Sequence, residues 1–135
     1  MFFDRRINRL IPVSLVMGIL FFLSHQPGDS LKLPDFWQAD KLLHSVAYGV
    51  LGISAMFSLD PELRRNRRRI CGVIVVVFCF VYGISDEFHQ SFIPGRSAGF
   101  PDVAADTVGG ILAVIFWYNV VERAGNRLAE PKGKV

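Results

Sequence analysis

The stretch Ile70–Ser97, "ICGVIVVVFCFVYGISDEFHQSFIPGRS", joins a long apolar run to a dense group of polar residues. Its first half carries no charge, and a bilayer span needs about 20 such residues, so the run is close to spanning length. Acid, base and amide side chains then follow within a few residues of one another. A helix that ends in this way predicts a polar site at the rim of a membrane. The polar residues in question are Asp86, Glu87, His89, Gln90 and Arg96.

The composition points to a membrane protein with a single domain. Half of the 135 residues are hydrophobic, 51%, and twelve of them are phenylalanine. A soluble domain of this size keeps a large fraction of its residues at the surface and could not bury so much apolar side chain. Cys71 and Cys79 both lie in the apolar run, where they are interpreted as small reduced core residues, so no disulfide or metal framework is predicted.

Four apolar runs predict an all-α fold, a four-helix transmembrane bundle in one domain over residues 1–135. The predicted spans are about 8–24, 41–59, 69–86 and 102–121. The first run also resembles the core of a signal peptide, but no small-residue cleavage motif follows it, which favours an uncleaved span. Between spans 1 and 2, residues 25–39 are expected to form an outer loop or a short interfacial helix anchored by Phe36 and Trp37.

The basic residues predict how the bundle is oriented. Twelve of the 15 Lys and Arg residues lie in the N-terminal arm, in the loop after span 2, or in the tail 122–135. The positive-inside rule then places both termini and this loop in the cytoplasm. The basic loop is interpreted as a topology signal that contacts anionic lipid, and nucleic-acid binding is not expected. The loop arginines are Arg64, Arg65, Arg67, Arg68 and Arg69.

With this topology, three polar helix ends meet on the outer side of the membrane. Residues four apart lie on one face of a helix, and this spacing recurs on spans 2, 3 and 4. An isolated charge inside a bilayer costs free energy, so His44 and Asp106 are expected to face the bundle, where Lys41 and Arg96 neutralise carboxylates. The predicted pocket comprises Asp40, Lys41, His44, Tyr48, Asp86, Glu87, Gln90, Arg96, Asp102 and Asp106.

Several of these residues also have simpler interpretations. Asp40 could cap a helix, Tyr48 could be an interfacial aromatic, and His44 alone would more often be structural than catalytic. The combined set on three converging helix ends favours a functional pocket over coincidence.

Three quoted segments resemble the VanZ-like family of small bacterial integral membrane proteins. They are "SHQPG" at 24–28, "DKLLHSVAYGVLG" at 40–52 and "SDEFHQSFIPGRSAGFPDVAADTVGG" at 85–110. The resemblance implies a multi-pass protein of the bacterial cytoplasmic membrane, and the family is named for a member that confers low-level resistance to teicoplanin. Two positions depart from the usual pattern: Asp106 stands where the family usually has Asn, and His25 stands where Ser is common.

The leading hypothesis is a pocket that binds or acts on a lipid-linked, phosphate-bearing cell-envelope intermediate or a lipoglycopeptide. His44 would be a general acid or base steered by Asp40 or Glu87, with Asp86 and Asp106 as a second pair. The anion would be held mainly by Lys41 and Arg96. Tyr48, Gln90 and Asp102 are assigned to binding.

Three alternatives remain open from the sequence. The pocket could bind a lipid or glycolipid headgroup without turnover, or it could be a polar network that fixes the bundle. A divalent-metal site is a lesser alternative, because the spacing matches no known zinc signature and Lys41 and Arg96 already supply positive charge. Its oxygen and imidazole donors would be Asp40, His44, Asp86, Glu87, His89 and Asp106. Membrane lipids are the expected partners. Enzyme activity, any cofactor and the oligomeric state stay undetermined.

Overall fold

A computed structural model describes residues 2–28 and 39–129, and every regular element within them is helical. The expected outer segment with Phe36 and Trp37 lies largely outside the described residues, as does the end of the basic tail. The helices are α1 (Phe2–Ser24), α2 (Ala39–Ser58), α3 (Pro61–Asn66), α4 (Arg68–Gln90), α5 (Phe100–Phe116) and α6 (Glu122–Ala129), with a π-helical turn at Trp117–Val121 between the last two.

Local sequence signals set the helix boundaries. Asp60 caps α3, since its carboxylate accepts hydrogen bonds from the backbone N–H groups of Glu62 at 2.9 Å and Leu63 at 3.3 Å. The turn after α4 contains Gly95 in the left-handed region, with φ 75°. Gly99 then precedes α5, whose first turn contains a proline.

The contacts between helices define an up-and-down bundle. On α4 and α5 the paired positions run in opposite directions, since Gly83 lies against Asp106 and Gly72 against Val114. On α1 and α4 they run in the same direction: the Tyr82 hydroxyl donates to the Met17 carbonyl at 2.8 Å, and Gln90 reaches Ser24. The four long helices therefore alternate in direction along the chain.

Glycines bring the helices into close contact. A Cβ added at Gly109 of α5 would collide with the backbone of α2 at Ser45, and one at Gly110 would lie 2.8 Å from the Cβ of Cys79 on α4. Such small residues let helix backbones approach in a bilayer. Around them lies an apolar core in which Leu51, Met56 and Cys79 are fully buried. Both cysteines are free and buried.

The outer faces of the bundle are strongly apolar. Leu15, Phe22, Val73 and Phe88 are each more than half exposed, as expected for side chains that face lipid. Among the described residues, three helices are long and apolar enough to cross a membrane, at Ile7–Ser24, Arg68–Gln90 and Phe100–Gly125. α2 is of similar length but begins with several polar residues, so three of the four predicted spans are supported by composition. The orientation of the termini stays a prediction.

The end of the bundle that contains α3, which we call the arginine end, is held by cation–π contacts. The Arg64 guanidinium lies 4.6 Å from the ring centroid of Trp117, and Arg68 lies 4.5 Å from that of Tyr118. Arg68 also pairs with Glu122 at 2.9 Å. Burial, together with the charge of Arg9, lowers the pKa of the Arg64 guanidinium. The π-helical turn thus presents two aromatic rings to the arginine-rich segment.

Candidate functional site

The opposite end of the bundle, which we call the polar end, gathers the predicted site residues. It is formed by the C-terminal ends of α1 and α4 and the N-terminal ends of α2 and α5. The carboxylates are not at the surface: Asp106 is 0% exposed, Asp102 4% and Asp86 7%. Because α4 has 23 residues, this end lies roughly 30 Å from the arginine end.

Lys41 joins α2 to α5 through two carboxylates. Its Nζ donates to Oδ2 of Asp40 at 2.9 Å and also contacts Oδ1 of Asp102. Asp102 is buried whereas Asp40 is 43% exposed at the side chain, so the ammonium sits at the edge of the pocket. Lys41 therefore neutralises carboxylates, as the sequence indicated.

His44 forms the next layer inward. Its Nδ1 lies 2.9 Å from Oδ1 of Asp106, and its Nε2 lies 3.9 Å from Oδ1 of Asp40. The imidazole is thus placed between an edge carboxylate and a fully buried one. Next to it, the Ser45 hydroxyl donates to the Ala105 carbonyl at 2.7 Å, which fixes α2 against α5. The arrangement can orient an imidazole for proton transfer.

The residues of α4 complete the pocket. The Gln90 amide donates to Oδ2 of Asp86 at 3.0 Å and approaches the Ser24 hydroxyl at 3.4 Å. Oε2 of Glu87 accepts from the backbone N–H of Gly99 at 2.7 Å, so this carboxylate holds the start of α5.

At the polar end, three buried polar atoms have no hydrogen-bond partner among the described residues. They are Oε1 of Glu87, Oδ2 of Asp106 and the hydroxyl of Tyr48. A buried polar group left unpaired costs about 1–3 kcal/mol, and native proteins rarely leave several together without a reason. These atoms therefore give the pocket unused capacity to hold a proton, a cation or a ligand.

Among the described residues, the Arg96 guanidinium contacts backbone carbonyls and not the carboxylates that the sequence led us to expect. Its Nη2 donates to the Leu23 carbonyl at 2.8 Å and its Nε to the Gln26 carbonyl at 3.2 Å. In the described part of the chain no carboxylate pairs with it. The guanidinium thus fastens the end of α1 to the loop after α4, while its side chain still lines the pocket.

The pocket combines polar and apolar walls. It has a volume of about 260 Å³, and its polar lining includes Asp40, His44, Asp86 and Arg96. The apolar lining comes from three leucines and one alanine: Leu20, Leu23, Leu43 and Ala47. A larger depression of about 560 Å³ lies between α4 and α5 toward the arginine end, but its lining is almost wholly apolar. The acidic side chains and the histidine therefore line the smaller pocket and not the larger depression.

Two groups of donors at the polar end have the spacing of a cation site. Asp40, His44 and Asp102 form one group, and His44, Glu87 and Asp106 form the other, with ligand atoms within 4.8 Å of one another in each. His44 is common to both. The sequence interpretation weighed a divalent-metal site as a lesser alternative but did not distinguish these two groups, and it did not count Asp102 among the donors.

Sequence reasoning also missed three features of this end. Ser24 is 5% exposed and contacts Gln90, although its place in the "SHQPG" segment was a usable signal. Gly83 gives space to Asp106, and it lies four residues before Glu87 on the same helix face. His25 and His89 form a pair, with Nδ1 and Nε2 3.2 Å apart. The last contact joins positions 64 residues apart, and nothing in the sequence indicated it.

The comparison with protein families is consistent with this architecture. The family model described as VanZ/LLP1 matches residues 4–121, which include all four long helices and every residue of the pocket. No curated protein and no solved structure matches the chain. The match covers most of the sequence and contains the three segments that carry the resemblance. This protein belongs to the VanZ/LLP1 family of membrane proteins.

Proposed function

We propose that this protein binds a lipid-linked, phosphate-bearing intermediate of the cell envelope in an outward-facing pocket at the polar end. The observation that carries the proposal is the two-sided lining of the pocket. Polar side chains converge at its base, and Leu20, Leu23 and Leu43 form a wall that continues onto the lipid-facing surface. A ligand with a charged head and a hydrocarbon chain has this same division.

The cations at the pocket can serve an anionic headgroup. Arg96 uses only part of its guanidinium on the α1 carbonyls, which leaves further N–H groups for a phosphate. Lys41 is 35% exposed at the side chain and lies at the pocket edge. Its charge is shared with Asp40 and Asp102, so it would contribute less than a free ammonium.

His44 is the group best placed for chemistry on such a ligand. It is hydrogen-bonded to Asp106 and lines the pocket, which resembles the way an acid orients a catalytic histidine. General acid or base catalysis at a headgroup is the reaction that this geometry favours. Sequestration of the same lipid without turnover would also alter the action of a lipoglycopeptide such as teicoplanin.

The test uses the full chain in lipid nanodiscs. A polyprenyl phosphate is titrated and bound lipid is measured by native mass spectrometry, with zwitterionic phospholipid as the comparison ligand. We expect saturable binding that Arg96→Ala weakens about tenfold, whereas Glu62→Gln at the arginine end leaves it unchanged. Binding that does not distinguish the two lipids, or that all variants share, would contradict the proposal.

A structural network is the second candidate, favoured by the cross-links between helices. The pairs Lys41–Asp102 and His44–Asp106 both join α2 to α5. Buried ionic networks can fix helix register without adding net stability. The two candidates separate in Asp86→Asn, which should keep its helical content and melting behaviour if the pocket is functional and should unfold if the network is structural.

A further inference from the structure

The charges at the polar end do not balance. Among the described residues, five carboxylates lie there, and Lys41 is engaged by two of them, Asp40 and Asp102. Arg96 is directed to backbone carbonyls. Within the same part of the chain, this leaves the His44 imidazole, which is charged only when protonated, as the one basic group close to Glu87 and Asp106. An anionic ligand would enter a site with an excess of negative charge, which electrostatics disfavours.

The inner group, His44, Glu87 and Asp106, has the geometry of a cation site. Ligand atoms on one divalent ion lie about 2.0–2.2 Å from it, which places neighbouring ligand atoms about 3–3.5 Å apart. Nδ1 of His44 and Oδ1 of Asp106 are 2.9 Å apart, close to that spacing. Each of the three side chains offers one ligand atom within 4.8 Å of the other two. A small side-chain movement would therefore bring all three atoms within coordination distance of one ion.

Two unpaired oxygens strengthen the case for this group. Oε1 of Glu87 and Oδ2 of Asp106 are buried without a hydrogen-bond partner among the described residues, and their side chains are almost wholly inaccessible. Oε2 of Glu87 is already held by the Gly99 N–H, and a held carboxylate with a free oxygen is suited to metal ligation because the second contact orients the ligand. Asp106 contacts its fellow ligand His44, and the cation would take the place of the proton between Nδ1 and Oδ1.

We propose that His44, Glu87 and Asp106 bind one divalent cation of the Mn²⁺ or Zn²⁺ class. One imidazole and two carboxylates suit these ions, whereas Ca²⁺ and Mg²⁺ prefer oxygen ligands alone. The outer group of Asp40, His44 and Asp102 is not the site, because the Lys41 ammonium already lies between its carboxylates.

The cation would also resolve the charge imbalance at the pocket. Three protein ligands leave coordination positions open, and a phosphate oxygen can fill one of them. This second step rests on the proposed function: the lipid phosphate would bind to the ion, with Arg96 as a further donor. The binding of the cation itself does not depend on the identity of the lipid.

The experiment measures Mn²⁺ binding by electron paramagnetic resonance on the full chain in nanodiscs made of zwitterionic lipid. We expect one Mn²⁺ per chain, competed by Zn²⁺, with pulsed spectra that show coupling to an imidazole nitrogen. Glu87→Gln and Asp106→Asn should each weaken binding at least tenfold, since even outer-shell changes at metal sites cost about 10- to 100-fold. Glu62→Gln, at the arginine end, should bind as the wild type does.

The wild-type spectrum tests for an imidazole ligand even if a variant fails to fold. Absence of nitrogen coupling, or binding that Asp40→Asn removes and Glu87→Gln retains, would overturn the assignment. Repeating the polyprenyl phosphate titration after chelation with EDTA separates this inference from the proposed function. Lipid binding that survives full removal of metal overturns the bridging role but leaves the lipid site intact. Metal binding without any lipid binding overturns the proposed function but leaves the cation site intact.

Discussion

Gly83 of α4 provides the space that the Asp106 carboxylate of α5 occupies. A Cβ built on Gly83 would lie 2.8 Å from Oδ2 of Asp106 and 3.2 Å from its Cβ. Asp106, the most deeply buried acid in the part of the chain with described side chains, is therefore packed against a position without a side chain. Because Asp106 also contacts His44, the glycine sets how far the carboxylate can extend into the pocket.

Gly83→Ala should destabilise the protein by about 1–3 kcal/mol, the usual cost of overpacking a well-packed contact. It should also weaken ligand or Mn²⁺ binding, since Asp106 must move to admit the methyl group. Unfolding monitored by circular dichroism at increasing SDS mole fraction measures the first effect, and the binding assays above measure the second.

Gly18→Ala is the matched control for that change. Gly18 lies on α1 with nothing within 4 Å of the added Cβ, so alanine there should be neutral or should stabilise the helix by up to about 1 kcal/mol. If both substitutions have the same effect, the Gly83–Asp106 contact has no special role.

The His44–Asp106 pair should show strong coupling in a double-mutant cycle. Removing either partner leaves a buried polar group unpaired, so His44→Ala and Asp106→Ala should each cost several kcal/mol, in the range of about 3–5 for a broken buried pair. The double variant should cost less than the sum by about 1–3 kcal/mol. The same SDS unfolding assay provides all four values, and strict additivity would show that the 2.9 Å contact carries no energy.

Two neighbouring arginines should differ sharply at the other end of the bundle. Arg64 lies over the Trp117 ring and donates to the Met56 carbonyl, whereas Arg65 is exposed. Arg64→Ala should cost about 1–3 kcal/mol, from a cation–π contact and a charged hydrogen bond, while Arg65→Ala should be close to neutral. Thermal unfolding checks this, and equal effects would mean that Arg64 acts only as one more positive charge.

The sequence predicted the convergence at the polar end because helical periodicity is a local property. Spacing of four residues placed Asp40 with His44 and Asp102 with Asp106, and the structure brings these two pairs together. The sequence did not predict which atoms form the contacts. The acceptors of Arg96 are the backbone carbonyls of Leu23, near the end of α1, and of Gln26, just after it; every residue carries a carbonyl, so no side-chain pattern indicates them.

Local sequence patterns were also insufficient to establish α2 as a span by composition and to predict the π-helical turn. α2 is interpreted as a span from its apolar second half, but its polar first turns lower its hydropathy, so composition alone supports three spans. The turn at Trp117–Val121 depends on packing against Arg64 and Arg68, which are distant in sequence. Long-range packing of this kind overrides local propensity.

The predicted orientation can be tested with single introduced cysteines. Glu62 lies on α3 at the arginine end and Ser97 in the loop after α4; both are exposed. α4 lies between them and is long and apolar enough to cross a membrane, so the two positions should be on opposite sides. The native cysteines are 0% exposed, and the background labelling of Cys71 and Cys79 should be low.

With most Lys and Arg residues on the α3 side, the positive-inside rule places Ser97 outside. A membrane-impermeant maleimide should therefore label Ser97→Cys in intact cells, and Glu62→Cys only after permeabilisation. The reverse pattern would place the pocket on the cytoplasmic side and would exclude an outer-leaflet ligand. Labelling of both positions from one side would show that α4 does not cross, which would contradict the bundle topology itself.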